Sequence, residues 1–128
     1  MDQTVLLTFM TIFGLISAVV YLFHITIFFN GGANGSLLKH SMGITNLIAA
    51  ILSIFLSIEL LTNGSLNNIF ELHNILLVVL MAFYLANAIE YLYFLVFDWE
   101  GYVFNITKNQ IGAFTIIAAA LSLYLFFA

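Results

Sequence analysis

The chain has 128 residues, of which 64% are hydrophobic and only 6% charged, with a formal net charge of -4 and a mean hydropathy of +1.17. Eight charged side chains (Asp2, Lys39, Glu59, Glu71, Glu90, Asp98, Glu100, Lys108) cannot solvate the surface of a water-soluble domain of this length, so lipid is the expected solvent. With two basic residues, nucleic acid is not an expected partner. Without cysteine, disulfides and thiolate chemistry are excluded.

Residues 4 to 29 form the first of four apolar runs long enough to cross a hydrocarbon core of about 30 Å. The opening segment, Met1-Asp2-Gln3-Thr4, lacks the basic start of a cleaved signal, so the first run is expected to be retained. Asn30-Gly31-Gly32-Ala33-Asn34-Gly35-Ser36 reads as a turn, and the second run follows at 38 to 61. Asn63-Gly64-Ser65 is a shorter turn. The third run covers 73 to 97. Trp99 and Tyr102 beside Asp98 and Glu100 mark its exit to the membrane boundary. The fourth run is 109 to 128, with Thr107 and Gln110 at capping-box spacing ahead of it. The runs are continuously apolar and show no strand alternation, which favours helices over a barrel. Short connections predict antiparallel neighbours. The expected fold is therefore all-α, a polytopic integral membrane protein with a single bundle of four antiparallel transmembrane helices over 1-128.

No proline interrupts these runs, so only Gly14, Gly43 and Gly112 offer weak points. Lys39 and Lys108 lie on the side of the first and third connections. Counted alone they put both termini outside. The glycosylation triplets Asn34-Gly35-Ser36 and Asn105-Ile106-Thr107 on that same side would reverse the answer. The composition does not distinguish a bacterial, archaeal or organelle membrane.

Small and polar residues fall on one stripe of each helix. These are Thr11, Gly14, Ser17, Ala18 and Tyr21, with His24 at the edge, on the first, and Gly43, Asn46, Ala50, Ser53 and Ser57 on the second. The fourth carries Gly112, Thr115 and Ala119. Such stripes are the expected packing seams of membrane helices, because they let backbones approach and exchange hydrogen bonds. The third helix is more polar: His73, Tyr84, Asn87, Tyr91 and Asp98 occupy about a 60° sector, with Glu90 on its flank. Glu90 lies roughly 10 Å inside the helix end, where a carboxylate costs of order 2.5 to 3.5 kcal/mol.

Matching depths across antiparallel helices assembles a buried polar cluster of His24, Asn46, Asn87, Glu90 and Tyr91. Three chemistries are open to it. Glu90 and His24 could relay protons or ions. They could hold a metal, with His24 and Glu90 as the candidate ligands, only if a partner chain completes the set. The cluster could also be structural, a neutral glutamic acid bonded to Asn46 or His24. His24 and His73 lie toward opposite sides and His40 at the edge of the second run, which disfavours a bis-histidine haem. No phosphate-binding loop, HExxH spacing or nucleophile constellation is present.

Four-helix multidrug exporters and dual-topology fluoride channels have similar lengths. The former use a carboxylate in the first helix and the latter a glycine- and threonine-rich break, and this chain has neither. The sequence favours a non-catalytic accessory subunit of a multisubunit membrane complex, of respiratory or oxygenase type, packing beside catalytic chains and binding lipids, with no cofactor of its own. The alternative is a small homo-oligomeric channel or transporter moving protons or cations through the His/Glu cluster.

Overall fold

The computed structural model describes residues 3–27, 35–64, 71–98 and 102–127. Among them are four helices: α1 (Gln3–Ile27), α2 (Gly35–Thr62), α3 (Leu72–Phe97) and α4 (Tyr102–Phe127). Each contains a segment long and apolar enough to cross a membrane, namely Thr4–Phe23, His40–Thr62, Leu72–Phe97 and Asn109–Phe127. The chain is a four-helix membrane bundle, all-helical among its described residues.

The helices form a ring in chain order, with α1 between α2 and α4 and α3 on the far side. Side-chain pairings run antiparallel: Tyr21 meets Asn109 while Thr11 meets Ser122, and Tyr91 meets His40 while Ser57 meets Met81. Of the two diagonals, α2 and α4 approach each other across the centre, whereas the α1 and α3 backbones do not.

Why these faces point inward follows from their residue types. Thr11, Gly14, Ser17, Ala18 and Tyr21 of α1, Gly43, Asn46, Ala50 and Ser53 of α2, and Gly112, Thr115 and Ala119 of α4 are all buried. The outward faces carry Ile12, Ile16, Val19, Ile51, Phe55, Ile89 and Val96. Apolar groups cost nothing against lipid tails, so the small and polar groups are free to set the contacts between helices.

The end of α2 matches the turn expected from the sequence, whereas the start of α4 does not. After α2, Gly64 adopts a left-handed φ of 77° and the Asn63 amide donates back to the Glu59 carbonyl at 3.0 Å, closing the helix. The fourth helix starts at Tyr102, seven residues before the expected 109. Thr107 therefore lies inside α4, where its hydroxyl donates to the Val103 carbonyl at 2.8 Å rather than capping anything. Asp98 takes the capping role: its Oδ1 accepts from the Val103 amide at 3.1 Å and its Oδ2 from the Phe104 amide at 2.9 Å. A carboxylate at a helix start satisfies free amides and faces the positive end of the helix dipole. The turn residues Asn30 to Asn34, together with Trp99 and Glu100, lie outside the described residues.

Candidate functional site

Three tyrosines lie over the three glycines within the spans. A Cβ at Gly14 would overlap the Tyr84 hydroxyl, one at Gly43 the Tyr91 ring, and one at Gly112 the Tyr21 ring. Each pair joins two helices, and each hydroxyl then finds a partner. Tyr84 crosses the open diagonal from α3 to α1, donating to the Met10 carbonyl at 3.2 Å and sharing a hydrogen bond with the Ser122 hydroxyl at 2.8 Å. The Tyr21 hydroxyl donates to Asn109 Oδ1 at 3.0 Å. The Tyr91 hydroxyl meets His40 Nδ1 at 3.0 Å, with the two rings edge to face. Glycine thus permits the close approach that lets a bulky amphipathic ring lie within the bundle.

Between these tyrosines is a polar layer. Asn46 of α2 is 1% exposed and Asn87 of α3 is 2% exposed. Both NH2 groups donate to one acceptor, Thr115 Oγ1 on α4, at 3.3 and 3.5 Å. The side-chain oxygens of both asparagines are buried without a hydrogen-bond partner. The Ser17 and Thr45 hydroxyls are hydrogen-bonded to each other, joining α1 to α2.

Of the five residues grouped from the sequence, the structure brings Asn46 and Asn87 together through Thr115 and puts Tyr91 beside them, against Gly43. Glu90 is not in this layer: it is half-buried on the flank of α3 and makes no hydrogen bond or ion pair with the described residues. His24 belongs to α1 by its backbone, and its side chain lies outside the described residues. The His24 to Glu90 pairing is therefore not among the contacts described. Among the described residues, no three histidine or carboxylate side chains lie close enough to hold a metal ion.

Sequence reasoning missed two participants. His40 was expected at the edge of the bundle, yet it is part of α2, half-buried and paired with Tyr91. The signal was its position three residues before Gly43, on the face that receives the Tyr91 ring. Thr115, read only as a seam residue, is the shared acceptor of both asparagines; its depth on α4 was the available clue.

Helix architecture and span lengths define the class: this is a multi-pass membrane protein. No known protein family, curated protein or solved structure matches the chain.

Proposed function

We propose that the chain is a non-catalytic accessory subunit of a larger integral membrane complex, bound to another membrane chain along the flank of α3. The observation that carries this reading is Glu90. Its neighbours in the bundle interior pair with one another, but Glu90 sits about seven residues inside the end of α3 on a half-buried flank, with no partner among the described residues. Left against lipid, a carboxyl group at that depth costs of order 2.5 to 3.5 kcal/mol. A transmembrane helix presenting a hydrogen-bond donor would offset the cost. The packed interior adds support, since Tyr84, Leu80, Leu77 and Leu6 are wholly buried between the helices, which leaves the outer faces to do the work.

Purification from native membranes in mild detergent tests the idea. Larger foreign subunits are expected in fixed stoichiometry, retained by Glu90→Gln, which keeps a hydrogen-bonding group, and lost from Glu90→Leu. A pure homo-oligomer that moves ions in liposomes would sink it. That outcome is the second reading, a small proton or cation channel, and the two unpartnered amide oxygens of Asn46 and Asn87 are the observation in its favour.

A further inference from the structure

On the side of the first and third connections, the Asn46 and Asn87 amides border a partly open cavity of about 10 Å³ whose other walls include Met42, Phe94, Phe104 and Ile111. Thr115 does not line it. Since both NH2 groups turn to Thr115 Oγ1, the two carbonyl oxygens turn away from that residue, and both are buried and unpaired. An unpaired buried acceptor loses its hydration with nothing in return, so two in one layer call for a shared donor.

We propose that this cavity binds one water molecule, which donates one hydrogen bond to Asn46 Oδ1 and one to Asn87 Oδ1. Size and chemistry select this guest together. A partly open recess of this volume holds roughly one water. Water carries two O–H donors for two acceptors. A metal cation would need about six oxygen ligands, and the walls offer two amide oxygens and no carboxylate to balance its charge. With the water in place, α2 and α3 are joined twice, through Thr115 of α4 on one side and through the water on the other. The water fixes the register of these two helices without placing a charge in the membrane.

The test is water-edited solid-state NMR on the full chain in lipid bilayers, with labelled asparagine and alanine. Early transfer from water to the Cγ atoms of both Asn46 and Asn87 is expected, ahead of transfer to the buried Ala49 and Ala88 methyl groups. Asn87→Leu should abolish early transfer to Asn46, whereas Thr115→Val, which leaves both oxygens in place, should preserve it. No early transfer in the unmodified chain overturns the proposal. So does a short Asn46 Nδ2 to Asn87 Cγ contact, which would mean that the amides bond to each other directly. Exchanging potassium for sodium or lithium at constant ionic strength should leave both shifts unmoved. A saturable shift would identify a cation in place of the water. Failure of Asn87→Leu to fold leaves the unmodified chain to decide. None of these outcomes depends on whether Glu90 meets a partner.

Discussion

Toward the second connection, where α2 ends and α3 begins, the interior is Leu6, Met10, Leu56, Leu60, Leu77 and Leu80, each at most 1% exposed. The serines there, Ser53 and Ser57, return their hydroxyls to carbonyls of their own helix, and the few bonds between helices are those of Ser57 to the Met81 sulfur and of Tyr84 to Met10 and Ser122. Toward the first and third connections, the interior holds Tyr21, Tyr91, Asn46 and Asn87, each hydrogen-bonded across helices through its side chain, with the Tyr21 and Tyr91 rings seated on glycines. In water the leucine half would dominate stability. In lipid, unpaired helices already keep their leucines in hydrocarbon, so burial against another helix gains only packing. Selection of one bundle geometry among many therefore rests more on the polar half, where such contacts are concentrated. There each contact has a shape or a hydrogen bond that a shifted register would lose.

Gly43→Ala is the strongest way to break that contrast. The added methyl would fall on Tyr91 near the root of its side chain, at Cγ and Cδ1, where ring rotation relieves little and the helices must separate. A loss of ~3 kcal/mol is expected, at the upper end for overpacking. Reversible unfolding in mixed micelles measures it. Adding Tyr91→Ala should recover part of the loss, giving a coupling of more than about 1 kcal/mol in a double-mutant cycle. Near-wild-type stability of the single variant would mean that the glycine seat contributes nothing.

Leu80→Ala sharpens the same comparison from the other half. In water-soluble proteins this truncation costs about 2 to 5 kcal/mol, part of it the transfer of the side chain out of water. Here the transfer part is absent and the cavity part remains, so ~1.5 kcal/mol is expected by the same assay. The substitution should leave the Tyr91 to His40 pair undisturbed. A loss above that of Gly43→Ala would reverse the ranking of the two halves.

How much of this was legible in the sequence depends on which quantity sets it. Helical phase alone selected Gly14, Gly43 and Gly112, together with Asn46 and Thr115, as inward positions, because small and polar groups in a lipid-embedded helix have few other places to be. Phase could not say which tyrosine covers which glycine, since that depends on the order of helices around the ring: Gly112 receives Tyr21 because α1 borders α4. Glu90 illustrates the opposite limit. Three positions from Asn87, it lies about 60° away around the helix, enough to move it from the interior to the flank. Depth matching alone had joined it to Asn46. Asp98 was visible as the last residue of a polar stripe, but its two bonds to amides five and six residues on depend on the turn between α3 and α4.

That turn supplies the smallest of the expected effects and the most local one. Asp98 satisfies two of the free amides at the start of α4, so Asp98→Ala should cost ~1 kcal/mol, the usual size of a lost helix cap. A global measurement would scarcely separate such a change from experimental scatter. Amide hydrogen exchange in bilayers can, because the loss should concentrate at Val103 and Phe104 and leave Thr115, about three turns deeper, protected as before. Asp98→Asn should restore protection at one of the two amides, since one of its two terminal atoms is no longer an acceptor. If both amides stay protected in the alanine variant, the carboxylate is not what starts the fourth helix, and an alternative donor-satisfying group must lie in the connection. If the effect instead spreads to the Asn46 and Asn87 layer, the tyrosine-bearing half behaves as one cooperative unit extending from the α4 start to the bundle centre. The contrast between the two halves would then be one of cooperativity as well as of chemistry.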